Sequence, residues 1–148
     1  MPSSQEPIDR AAIIERVHRY FRCLDERNAE ALAACLAADV TARHTLFGEL
    51  RGREAFLQVA LASWPGLVSA QHYCSNEEVD VDGDRAGCRA YLYAQHVVAR
   101  EGSHVLMPGG GRYTFELGRT GDAWVIRTLA NDVTWMDPGL AAVFAPSR

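Results

Sequence analysis

The chain has 148 residues, 48% of them apolar and 23% charged, and a formal net charge of −4. That length suits one domain over residues 1–148 with a real core, and an acidic balance with no basic block excludes nucleic acid or an anionic membrane as the main partner. All 15 basic residues are arginine, which excludes Schiff-base chemistry, lysine-bound pyridoxal and a lysine general base.

Residues 1–7 read as a loose tail. Asp9 is placed to cap a helix over "RAAIIERVHRYFRCLDERN". Ile13, Val17, Tyr20, Phe21 and Leu24 fall on one face of it, and Asp25 lands at the edge of that stripe. "AEALAACLAAD" reads as a second short helix, "VTARHTLFG" as a strand and "ELRG" as a loop. "REAFLQVALASW" reads as a third helix, stopped by Pro65-Gly66. The period then changes to two, and strands are expected at 70–81, 85–99, 104–107, 112–119 and 123–135, punctuated by glycines. Residues 137–148 read as a second loose tail, with one helical turn that packs on a neighbour. Helices first and a strand meander afterwards predict an α+β fold, an antiparallel sheet with helices on one side.

In "AGCRAYLYAQHV" the even positions are Ala86, Cys88, Ala90, Leu92, Ala94 and His96, so one strand face is apolar and mostly small. Such a face either admits close-packed helices or leaves a cavity into which His96 points. A two-residue turn at Asp82-Gly83 pairs Val81 with Asp84 and carries His72 opposite Tyr93, on the wrong face. One bulge between His72 and Val79, or in the partner strand, turns His72 onto the small-residue face, and such a bulge is expected.

Other motifs point away from sites. Gly109 to Gly111 precede a strand and not a helix, so they make a poor phosphate cradle. The histidines show no HxH or HxxxH spacing, and no metal site is expected. The acidic run "NEEVDVDGD" lacks the spacing of a calcium loop and reads as a solvated hairpin tip. His18 and His104 read as surface residues. The four cysteines form no CxxC pair and read as reduced thiols of a cytoplasmic protein. The N-terminus lacks the order of a signal peptide, and no apolar run is long enough to span a membrane.

The helix-end turn "LDERN", then "ADV", "GELRGREAF", "QHYCSN" and "GGRYTFELGRTGDAWVIRTLAND" together resemble the SnoaL-like branch of the nuclear transport factor 2-like superfamily, over about residues 8–135. The resemblance implies a cone, in which a curved antiparallel sheet wraps around the N-terminal helices and encloses a pocket, and a homodimer or homotrimer. Within the superfamily the chain is most similar to the scytalone dehydratase and hexachlorocyclohexane dehydrochlorinase branches. Their motifs imply a catalytic histidine at His72, its carboxylate partner at Asp25 and a second pocket histidine at His96, expected as a further catalytic residue with an acid–base or orienting role. A tyrosine of the dehydratases falls near His44, and their polar strand residues fall near Gly111 and Tyr113. The dehydrochlorinases carry a lysine where this chain has Tyr20.

The chemistry expected is proton transfer without a cofactor. A neutral imidazole takes a proton beside an electron-withdrawing group, and a buried carboxylate on its other nitrogen fixes the tautomer. His96, Tyr113 or Tyr20 would donate a hydrogen bond to developing oxygen charge. Tyr20, His44, Tyr113 and Trp135 are the expected substrate-binding residues. The function expected is therefore a lyase of the dehydratase type, or an isomerase or cyclase. Its substrate would be a small hydrophobic cyclic molecule, polyketide- or steroid-like. A noncatalytic ligand-binding or assembly module of the same fold is the alternative.

Overall fold

The structure, a computed structural model, describes residues 4–144. It opens with helix α1 (Gln5–Asp25), which begins earlier than expected because Pro7 sits in the first turn, where no backbone N–H is needed. Asp9 is therefore not a cap. It lies on the buried face of α1 and accepts hydrogen bonds from Arg119 (2.8 Å) and Trp124 (3.4 Å) on the far strands. The Arg119 guanidinium holds its carboxyl below the ordinary value. Helix α1 ends where Arg27 turns left-handed (φ 56°), with Arg27 N–H on Leu24 O and Asn28 N–H on Cys23 O. This 6→1 and 5→2 pair is a Schellman end. The Arg27 side chain then donates to Leu67 O (2.6 Å), and Asn28 Oδ1 caps the next helix through Ala31 N–H. Asp25 is thus fixed at the last turn of α1.

Helix α2 (Ala29–Cys35) is shorter than expected, because "LAAD" opens strand β1 (Leu36–His44) instead. The segment read as the loop "ELRG" is strand β2 (Gly48–Arg51), hydrogen-bonded to β1. Helix α3 (Arg53–Ser63) follows, with a 3-10 turn at Trp64–Gly66. Then come β3 (Ser69–Asp82), β4 (Arg85–Arg100), β5 (Ser103–Thr120), β6 (Ala123–Met136) and the short α4 (Leu140–Phe144). The sheet order is β2-β1-β6-β5-β4-β3, antiparallel throughout except for the parallel pair β1–β6. The core lies between the concave sheet face and α1 and α2: Ile13, Val17, Leu32, Phe115 and Ile126 are fully buried.

Bulges in β3 and β6 interrupt the regular pairing, and a further irregularity lies between Leu36 and Thr41 of β1. In β3 the register slips between Ser75 and Glu78, so that Asn76 and Glu77 together face Ala90. Asn76 takes the left-handed conformation there (φ 58°). The hairpin turn is Gly83-Asp84, one residue later than expected, since Asp82 pairs with Arg85. Continued unbroken, that register would set His72 opposite Gln95, outside. The bulge sets it opposite Ala94, inside. The expected bulge is present, and inward positions run 70, 72, 74 before it and 77, 79, 81 after it. Of two further slips in β6, the one at Arg127 switches its inward set from Trp124 and Ile126 to Leu129, Asn131 and Val133, and the one at Thr134 switches it again to Met136.

The segments expected as two strands at 104–107 and 112–119 are one strand. Pro108 to Gly111 remain paired with β4 because the glycines let β6 approach closely. A Cβ on Gly111 would sit 2.1 Å from Asp132 O, a backbone atom. Residues 140–144 fold back over the concave face, where Leu140 is buried against Met107. The rest of the tails, residues 1–3 and 145–148, lies outside the described residues. No helix among the described residues is long and apolar enough to cross a membrane.

Gly111→Ala forces backbone apart and should cost about 1–3 kcal/mol, read as a fall of roughly 4–10 °C in Tm. Gly87→Ala, with nothing within 4 Å of its Cβ, should leave Tm within a degree or two or raise it slightly. Equal thermal unfolding of the two variants would contradict the close approach at Gly111.

Candidate active site

The concave face encloses an apolar cavity with about 140 Å³ of space for the centres of water-sized solutes. That is close to the ~150 Å³ of an apolar cavity that takes up benzene. Leu92 and Ala94 of β4 form its floor, Gly109 and Gly110 its far wall, and Phe56, Val59 and Trp64 the α3 side. Phe47 and Phe144 meet edge to face over it (ring centroids 5.7 Å apart), and Phe144 also meets His96 (5.5 Å). The small residues of β4 thus leave a hollow rather than admitting a tightly packed helix.

At one end stand Asp25, His72 and His96. Asp25 Oδ1 lies 2.5 Å from His72 Nδ1, and its Oδ2 accepts from the His72 backbone N–H at 2.9 Å. One carboxylate therefore grips both the ring and the main chain of the same residue. With Nδ1–H donated to Asp25, the His72 lone pair is on Nε2. The ring stacks on Phe21 (5.7 Å, 20° between planes) and meets His96 edge on (5.8 Å). His72 and His96 both line the cavity, while Asp25 stands behind and borders an open recess with Phe21 and Arg22.

His96 is buried, and its Nδ1 lies 3.0 Å from Met107 O. A carbonyl only accepts, so Nδ1 carries the proton and Nε2 the lone pair. Burial, and then the neighbouring His72, push its pKa below the ordinary value. His96 is therefore held neutral, and its free nitrogen accepts a hydrogen bond, contrary to its expected role as a donor.

The opposite end is polar in a way the sequence did not signal. His44 Nδ1 accepts from Leu46 N–H (3.0 Å), which puts its proton on Nε2. Asn131 lies 2.8 Å from that Nε2 and 3.0 Å from the Tyr113 hydroxyl. With its nitrogen turned toward His44, the amide sets N–H against N–H and leaves its oxygen buried without a partner. A 180° turn of the amide removes the clash. Its oxygen then accepts from both His44 and Tyr113, and its NH₂ becomes the group lacking a protein partner. The buried Tyr20 ring lies edge on to Tyr113 (6.5 Å between centroids), and burial raises both phenols well above the ordinary value. Burial, with a smaller effect of His72, brings His44 down to about 4.

The structure thus brings Asp25, His72 and His96 together at one end of the cavity, and Tyr20, His44 and Tyr113 at the other. Trp135 does not join them. The bulge at Thr134 turns it to the outer sheet face, half exposed, against Tyr93 (5.8 Å) and over Gly110. Asn131 is the site residue sequence reasoning missed. Nothing in "LAND" marks it, because the bulge at Arg127 decides which of its residues face inward.

A cone of helices and curved sheet around such a hollow defines a class of small α+β proteins. This chain belongs to the SnoaL-like domain family, whose sequence model matches residues 5–130. Solved structures share the fold. A protein of Kribbella flavida superposes with a TM-score of 0.84 at 21% identity, over 94% of this chain and 98% of its own. A scytalone dehydratase-like protein of Novosphingobium aromaticivorans gives 0.81 at 20% identity, over 89% and 88%. The hexachlorocyclohexane dehydrochlorinase LinA-type3 of Novosphingobium barchaimii gives 0.76 at 20% identity, over 89% and 90%. No curated protein matches the chain in sequence.

The neutral imidazoles set a pH dependence for stability. His44 has a pKa of about 4 when folded and ~6.5 when unfolded, so the unfolded chain takes up protons first as pH falls. Its contribution is complete above pH ~6.5, is lost on the way down to about 4 and is constant below that. Between pH 7 and pH 5 this amounts to roughly 2 kcal/mol, to order of magnitude. In urea unfolding at the two pH values, His44→Asn should shrink the difference by about that amount. An unchanged difference would place His44 charged or exposed.

Proposed function

We propose that this protein is a cofactor-free acid–base enzyme that removes a proton from a small cyclic substrate, with elimination or a double-bond shift to follow. The observation that carries this reading is the 2.5 Å contact between Asp25 Oδ1 and His72 Nδ1, with the same imidazole lining an apolar cavity. Asp25 holds the ring in one tautomer, aims Nε2 at the substrate and stabilises the imidazolium that forms. The electron pair of the broken C–H bond becomes the new double bond. In a dehydration, a β-hydroxyl leaves with a proton returned from His72 as water. His96 accepts a hydrogen bond from a substrate hydroxyl, and the side chains of Tyr20 and Asn131, which line the far end, orient the rest of the substrate. The cavity volume favours a single ring over a steroid nucleus. The two scytalone dehydratase-like and dehydrochlorinase relatives carry names of elimination chemistry, which agrees with this reading.

Across a panel of cyclic β-hydroxy ketones, His72→Ala should lower kcat by ~10²–10⁴-fold with KM little changed. Asp25→Asn should lower it as well, because the amide can offer its N–H to the ring and favour the wrong tautomer. Turnover by His72→Ala equal to that of wild type would remove His72 from the mechanism and leave a ligand-binding module.

The outer sheet face supports self-association as a homodimer or homotrimer. Tyr73, Tyr93 and Trp135 form an exposed aromatic strip there, with ring centroids 6.1 and 5.8 Å apart. Light scattering should give a multiple of the 16.3 kDa chain mass, and Tyr93→Arg should shift it toward the monomer. A monomeric wild type would show that this strip serves some other end.

A further inference from the structure

The bulge that turns His72 inward has a second effect three to five residues along β3. It brings Glu77 onto the same side as Cys74, where a regular strand would present Asn76. Both meet His18, which projects from α1 two turns before Asp25. The donor atoms of His18, Cys74 and Glu77 all lie within 4.8 Å of one another, and His18 Nε2 is hydrogen-bonded to Glu77 Oε1.

The carboxylate at this spot is shielded from water and meets an imidazole. The Glu77 side chain is 15% exposed, and among the described residues its ion-pair partner is His18 and no arginine. A negative, partly desolvated cluster of one imidazole, one thiol and one carboxylate favours a cation.

We infer that His18, Cys74 and Glu77 form a site for one divalent transition-metal ion, zinc by its donor set. Nitrogen, sulfur and carboxylate oxygen are the usual zinc ligands, and three of them leave a fourth tetrahedral position for water. Zinc–ligand distances of ~2.0–2.3 Å set the donors roughly 3.3–3.7 Å apart. His18 and Glu77 therefore spread slightly to admit the ion. The His18 side chain, 51% exposed, is free to do so. The open recess beside His18 and Cys74 supplies the entry path and the water. On binding, Cys74 releases its thiol proton to solvent and gives an electron pair to the metal; no redox step is involved. The ion joins α1 to β3, the two elements that carry Asp25 and His72, and acts as a clamp on the frame rather than a participant in proton transfer. The site is independent of the reaction proposed above.

Titration of the full-length, metal-free protein with Co²⁺ tests this. One equivalent should bind with a sulfur-to-cobalt charge-transfer band, and Zn²⁺ should displace it. Cys74→Ser should abolish the band. His18→Gln and Glu77→Gln should each weaken binding by roughly 100-fold or more, above the 10–100-fold typical of losing a supporting partner. His72→Ala should bind as wild type does. Zn²⁺ at a hundredfold excess over Kd should raise Tm by roughly 5–10 °C. Because His18 is exposed, His18→Gln remains a folded control should Cys74→Ser fold poorly. Absence of a stoichiometric band, or binding lost in His72→Ala and retained in Cys74→Ser and His18→Gln, overturns the site.

Discussion

One extra residue in a strand sets the chemistry of this molecule. A β-strand alternates its side chains strictly, so a strand long enough to cross the whole sheet can present only one parity of residues to the core. Between Ser75 and Glu78 that rule is broken once, at the cost of a left-handed asparagine. Before the break, His72 and Cys74 look inward; after it, Glu77, Val79 and Val81 do. Without the break, either the hairpin end would lose its buried valine or His72 would stand in solvent. The bulges of β6 act in the same way on Asn131 and Trp135, sending one to the cavity and the other to the outer face. Bulges often gather near functional sites because they re-aim single side chains without disturbing the rest of the ladder.

The cavity depends on a second constraint, the spacing of small and large residues. Ala70, Ala94, Gly109 and Gly110 leave room on the sheet, and the aromatic side chains of α1, α3 and α4 roof the space without filling it. Inside, polar groups are confined to the two ends. The Asp25–His72 end has one carboxylate with two hydrogen bonds from a single residue, and a route to water behind it. The His44–Asn131–Tyr113 end is nearly sealed, and burial keeps its histidine neutral and its phenols protonated. The two ends differ in position: Asp25 stands at the C-terminal end of α1, whereas Tyr113 and Asn131 lie on the neighbouring inner strands β5 and β6.

Much of this was legible in the residues. The inward face of β4 follows from the alternation of Ala86 through His96, and every one of those even positions is turned inward. The stripe of Ile13, Val17, Tyr20 and Phe21 is the buried face of α1. The bulge in β3 could be anticipated because His72 and His96 lie on opposite parities from any simple turn. Other features could not be read. Asp9 has the composition of a cap, yet Arg119 and Trp124, over a hundred residues away, claim its carboxylate. "LAAD" has helical propensity, yet Leu36 pairs with Ile126 of β6 and the segment extends as the start of β1. The glycine run at 109–111 reads as a break, yet those residues stay in the ladder because a close approach of β6 needs them without side chains.

The pairing of an acid at the end of α1 with a histidine on β3 was implied by the family resemblance, whereas the residues by themselves determined the order of helices and strands, the small-residue face of β4 and the motifs that carry that resemblance. These are local patterns, set by periodicity and side-chain chemistry over a few turns. Tertiary structure alone decided the exact slip in each strand, the neutral state and proton positions of His44 and His96, the entry of Asn131 to the cavity and the exit of Trp135. Each of these depends on how much of a side chain water can reach and on which distant group meets it. Neither quantity exists until the sheet has curved around the helices.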